Sequence, residues 1–134
     1  MSVLGSGDAA VRPGRDALLR AWSDERAAAR LARSDGDTAG EWRHLERAHV
    51  LSQPMALPHV RTHVSMLGYG VRRRDAHEIL GQALRLVVAG PGSLTGRYPV
   101  GNTGGANVKA MLPMAIPDDL KALLEVPSVT EARA

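Results

Sequence analysis

The sequence predicts an all-α fold of antiparallel helical hairpins, and three observations predict it. Ala-, Leu- and Arg-rich segments place apolar residues at three-and-four spacing, the period of an α-helix with one buried side. Proline, glycine and Ser/Asp clusters separate these segments at helix-length intervals. The apolar residues are mostly Ala, Leu and Val, with no Phe, two Trp and two Tyr, a composition that suits closely packed helices. With 134 residues, 44% of them hydrophobic and 23% charged, the chain is expected to form one globular domain.

Residues 1–14, rich in Gly, Ser and small side chains, read as a flexible lead-in. The single helical domain is expected over 15–127, with 128–134 a frayed tail. The first helix starts near Asp16, and Leu18, Ala21, Trp22, Ala28, Ala29 and Ala32 share one stripe. Leu19 and Leu31 flank that stripe, and Glu25 interrupts it. "SDGD" at 34–37 ends the helix, with Gly36 placed for a left-handed cap.

A second helix is expected from Thr38 to Gln53, before Pro54. A third begins near Pro58, where a missing N–H costs nothing, and runs to about Tyr69. Asp75 caps a fourth helix reaching Ala89. On it Ile79, Leu80, Ala83, Leu84, Leu86 and Val87 form one broad apolar side, and Glu78, Gln82 and Arg85 share the other. From Gly90 the Gly/Pro content predicts a long loop, and "PDDLKALLEVP" then predicts a short C-terminal helix.

"HLERAHVL" at 44–51 lies 35 residues before "ILGQALRL" at 79–86, aligning Leu45 with Leu80, Ala48 with Ala83 and Leu51 with Leu86. Such a period, with two helices per unit, describes a tetratricopeptide-like pair of hairpins.

Composition also narrows the function. Without cysteine there is no disulfide, thiolate ligand or cysteine nucleophile. A net charge of +3 with few aromatics argues against single-stranded nucleic acid, which stacks on aromatic platforms. "RRR" at 72–74 reads as a solvated helix end. No segment approaches the ~20 apolar residues that cross a bilayer, and no secretory leader is evident, so no membrane partner and a cytoplasmic location are expected.

Four of the five histidines fall between residues 44 and 63. At ~100° per residue, His44 lies roughly 140° from His49, so the two cannot face one site. Glu46 and His49 are three apart on the second helix, a spacing used by metal centres in helical bundles. His59 and His63 are four apart on the third helix, a two-point chelate. If the two helices form a hairpin, Glu46, His49, His59 and His63 meet, with His77 entering from the fourth helix. That set suits a transition metal ion such as Zn, Fe, Mn, Co, Ni or Cu.

This predicts a metal-binding protein that stores, senses or chaperones an ion, or uses it in chemistry with Glu41 or Glu78 moving protons. Whether it is an enzyme stays open. The competing reading is a tetratricopeptide-like interaction module with a protein partner, in which the histidines form a polar network shared with Arg47, Arg61 and Glu78. A haem site with one axial His is a third. "RYPVGNTGGANVK" at 97–109 reads as a structured loop over the helices, with an anion cradle as the alternative.

The ordered segments W-x-H-L-E-R-A-H-V-L-S-Q (42–53), H-V-x-x-H-x-x-M-L (59–67), E-I-L-G-Q-x-x-R (78–85) and G-R-Y-P-x-G-N-T-G (96–104) resemble the DUF3703 family of small bacterial proteins. The resemblance spans roughly residues 15–125. It implies that these segments belong to one domain, and it implies no activity.

Overall fold

The computed structural model describes residues 13–109 and 111–124. The expected lead-in lies outside them up to residue 12, as does the whole of the expected tail. Five helices follow in order: α1 (Pro13–Ser34), α2 (Thr38–Ser52), α3 (Ala56–Arg73), α4 (Ala76–Thr95) and α5 (Asp118–Leu124), with no strand among the described residues. Connections of two or three residues make α1–α2 and α3–α4 tight hairpins, as the punctuation predicts.

Local chemistry sets the helix ends. Asp37 and Asp75 cap α2 and α4 by accepting from Gly40 N at 2.9 Å and Glu78 N at 3.0 Å. Gly36 (φ 75°) turns the chain out of α1, and Arg74 (φ 54°) turns it out of α3. The α1–α2 core joins Leu18, Trp22, Ala48, Val50, Leu51 and Met55 to Leu120 of α5. A smaller cluster of Ala29, Leu45 and Met66 packs with Trp42 and Tyr69. Trp22 Nε1 donates to Thr62 Oγ1 at 2.9 Å, tying α1 to α3.

Three expectations change. First, α3 passes through Gly68 and Gly70 to Arg73 instead of stopping at Tyr69. Gly70 is buried where a Cβ would come within 3.3 Å of Glu78, so this glycine serves the α3–α4 approach and not a break. Second, α4 continues past Ala89 through Pro91 to Thr95. A mid-helix proline costs ~3 kcal/mol, and the contacts of Ala89 and Ser93 with His59 lie on either side of it. Third, α4 is turned over. Glu78, Gln82, Arg85, Ala89 and Ser93 face inward, while Leu80, Leu84 and Val87 are more than 70% exposed.

The 35-residue echo aligns the second helix of each hairpin, but it does not repeat the burial. Leu45 is 4% exposed and its counterpart Leu80 is 74% exposed. The hairpin layout stands, with Leu80 and Ala83 exposed and Leu86 half-buried where Leu45, Ala48 and Leu51 are buried.

Candidate metal centre

The inward stripe of α4 faces three imidazoles. His49 comes from α2, and His59 and His63 from consecutive turns of α3, their side chains all buried. Their Nε2 atoms form a nearly equilateral triangle: His59 to His49 is 3.0 Å, His49 to His63 is 3.1 Å and His59 to His63 is 3.2 Å.

The outer nitrogens establish what those inner atoms are. His49 Nδ1–H donates to the Asn102 carbonyl at 2.6 Å. His63 Nδ1–H donates to Gln82 Oε1 at 2.6 Å, and the Gln82 amide is oriented because its Nε2 donates to Glu78 and to the Gly104 carbonyl. His59 Nδ1–H donates to Ser93 Oγ at 2.7 Å, whose hydroxyl hydrogen is committed to the Gln53 carbonyl at 2.6 Å. Every outer partner is an acceptor, so all three rings carry their proton on Nδ1. Three Nε2 lone pairs then point at one another, an arrangement that repels unless a cation or proton lies among them.

A proton is disfavoured there. Burial pushes His59 and His63 down to about 4, against the hydrogen bonds to Ala89 and Gln82 that work the other way. Burial also holds His49 well below the ordinary histidine range, with the neighbouring His63 and His59 adding to it. The rings are neutral, as metal ligation requires.

The loop after α4 closes the site from the side. Gly104 (φ 86°) lies so close to His49 that a Cβ would come 2.6 Å from its ring. Asn102 is locked by donating to the Lys109 and Leu112 carbonyls and accepting from Gly104 N. The structured-loop expectation agrees with this packing. The anion-cradle alternative does not, because the amides of Gly101, Gly104 and Ala106 are already given to Gln53, Asn102 and Glu78.

Two of the five expected ligands stand apart. Glu46 turns into a neighbouring hollow with Trp42, Thr103 and Glu78. Burial raises its carboxyl above the usual range, partly opposed by Thr103 and reinforced by Glu78. The Asn102–Gly104 backbone takes the flank of His49 where Glu46 was expected to contribute. His77 is exposed in the first turn of α4 and meets the Ala106 carbonyl at 3.2 Å. His44 pairs with Glu25 at 2.7 Å, away from the cluster, as its helical phase predicts. Arg47 joins Asp119 and the same Glu25 that pairs with His44, so it belongs to that network and not to the three-histidine cluster.

The three histidines also line a cavity of about 420 Å³ walled by Val88, Pro91 and Pro99, with Arg85 and Arg97 in its lining. The residues that sequence reasoning passed over are Gln82, Ser93, Gln53 and Asn102, which orient the rings. For Gln82 and Ser93 the signal was the 78-82-85-89-93 stripe, a helix side whose polar groups match the histidine side of α3.

The family described as "Protein of unknown function (DUF3703)" matches residues 16–124. Comparison with curated proteins and with solved structures gives no match.

Proposed function

Because the chain belongs to the DUF3703 family, which carries no described activity, its function has to be read from the site, and we propose that it binds a first-row transition metal ion through His49, His59 and His63. The carrying observation is the convergence of three neutral Nε2 lone pairs, each ring held by a separate acceptor. Such outer partners fix tautomer and direction in metal sites and raise ligand basicity.

The fit is chemical and geometric. Metal–imidazole bonds of ~2.0–2.1 Å reach all three nitrogens from a point roughly 1 Å off their plane. Three imidazoles without thiolate or carboxylate favour Zn, Co, Ni, Cu or Fe over Mg and Ca. Met55 and Met66 sit in the apolar clusters and add no soft ligand.

Three protein ligands leave a coordination position free, the hallmark of a reactive site over a closed structural one. The cavity supplies space for it, and the neutral ligand set leaves the ion's charge uncompensated. A bound ion would supply Lewis acidity at this position and favour an anionic ligand, with Arg85 and Arg97 of the cavity lining adding to the pull. The proton-transfer roles considered for Glu41 and Glu78 are not supported: Glu41 is paired with Arg72, and Glu78 is held by Gln82 and Ala106 N. The haem alternative is disfavoured because the Nε2 atoms aim at one point instead of flanking a flat slot.

Elemental analysis of protein purified without a polyhistidine tag tests the reading. One equivalent of metal is expected, lost in a His59→Ala/His63→Ala variant that keeps its helical circular dichroism. Metal-free protein that takes up none of Zn, Co, Ni, Cu or Fe at micromolar concentration overturns it.

A further inference from the structure

We infer that the outer face of α3 and α4 is a self-association surface that pairs this chain with a second copy. The inference is independent of the metal reading and rests on the apolar side of α4 that the described residues leave uncovered. Leu80, Leu84, Val87 and Leu94 are 74%, 71%, 73% and 80% exposed. With Pro91 they follow the spacing 80-84-87-91-94. On α3, Leu57, Val64 and Val71 are exposed and Val60 and Leu67 half-buried, following 57-60-64-67-71. Both series alternate threes and fours, the period of a helix seam that packs against other helices.

The two stripes lie side by side. A Cβ on Gly90 of α4 would stand 3.6 Å from Val60 Cγ2 of α3, and helical phase places both exposed series on the outer flank of that contact. Charge is confined to the edges, where α3 carries exposed Arg61 beside Leu57 and, at its end, Arg72 and Arg73. Along α4 the ionisable residues are His77, Glu78 and Arg85, and the last two are turned inward. At ~1.5 Å rise per residue and ~10 Å diameter, the stripes span roughly 20 by 20 Å. In accessible area such a face reaches or exceeds the ~300–600 Å² patch that a typical monomer leaves exposed. It approaches the ~800 Å² that each partner contributes to a standard interface.

The occupant follows from what the face lacks. A foreign partner is selected by charge and polar register, and the middle of this surface offers neither. Its only code is the three-four spacing, carried by both helices, so the face complements itself. Two such hairpins related by a two-fold axis form a four-helix bundle with an isologous interface. Val87 and Pro91 belong both to this face and to the cavity lining, so pairing also narrows the approach to the histidines.

Light scattering across the micromolar range tests the inference. The wild-type chain is expected at twice its 14.3 kDa mass. Leu84→Glu/Val87→Glu is expected at the single-chain mass with unchanged helical circular dichroism, while Leu31→Glu, on the exposed side of α1, stays paired. If the double glutamate variant does not fold, Leu80→Gln/Leu94→Gln is expected to weaken pairing tenfold or more. Wild-type protein of single-chain mass throughout this range overturns the inference. Sedimentation of that monomer with phosphatidylcholine vesicles would reassign the face to a lipid surface. Pairing that survives the substitutions in folded protein overturns it equally.

Discussion

The hairpin α1–α2 buries Leu18, Trp22, Leu45 and Leu51 and leaves Arg20, Arg30, Arg33 and Arg43 exposed, whereas α3–α4 buries His59, His63, Gln82 and Arg85 and leaves Leu57, Val64, Leu80, Leu84 and Val87 exposed. Apart from Glu41 and His49, which α2 buries, the first hairpin follows the ordinary partition between core and solvent. The second inverts it, which is tolerable only when each buried polar group has a partner. Gln82 shows how this is met: its oxygen accepts from His63 and its nitrogen donates to Glu78 and to Gly104. Stability thus comes from packing in α1–α2, while α3–α4 and its loop give their interior to orienting three rings.

Acid should separate the two regions most strongly. With unfolded histidines near 6.5 and folded His59 and His63 at about 4, the unfolded chain binds protons first as pH drops. Stability of metal-free protein is therefore full above about pH 6.5 and is lost progressively toward pH 4. Each ring contributes ~1.4 kcal/mol for every tenfold difference in proton affinity between the folded and unfolded chain. Urea midpoints between pH 7 and 4.5 check this, and a His59→Gln/His63→Gln variant should show a much flatter profile.

The next contrast uses the aligned leucines. Leu45→Ala is expected to cost ~2–5 kcal/mol, and Leu80→Ala less than ~0.5 kcal/mol in dilute protein. Equal costs would show that the outer face of α4 is covered in the monomer.

Two glycines with positive φ give a finer comparison. Gly36→Ala meets nothing within 4 Å and carries only the left-handed backbone penalty of ~1–2 kcal/mol. Gly104→Ala carries that penalty and also a clash with His49, for ~1–3 kcal/mol more. It should lower metal affinity too, measured by competition with a chromophoric chelator. Finally, Gln82→Met keeps the volume but removes the acceptor behind His63, and is expected to weaken metal binding ~10–100-fold. An unchanged affinity would show that the ring needs no such partner.

The hairpins were legible because punctuation and period are local properties of the chain. The grouping of His49 with His59 and His63 was legible from helical phase, and the 3.0 and 3.1 Å separations agree with it. The roles of Glu46 and His77 were not, because the loop at 102–106 comes back over α2 and α4, a long-range event that spacing does not encode. The orientation of α4 was misleading for a physical reason. Amphipathicity states which side avoids water, and it is silent on whether this chain or a second one covers that side. Pro91 misled similarly, since its local penalty is opposed by tertiary contacts of Ala89 and Ser93.

Gln53, at the end of α2, receives Ser93 Oγ–H on its carbonyl, donates to the Pro99 carbonyl and accepts from Gly101 N. Its partners lie 40 to 48 residues away in sequence. Loops of that length close slowly, so the order of assembly is set by chain topology. The His59/His63 pair needs only one helical turn to exist, whereas His49 acquires its outer partner only after the 102–104 loop has docked. An ion present during refolding is thus expected to engage α3 early and hold it while the rest of the chain arrives, making metal uptake biphasic in time.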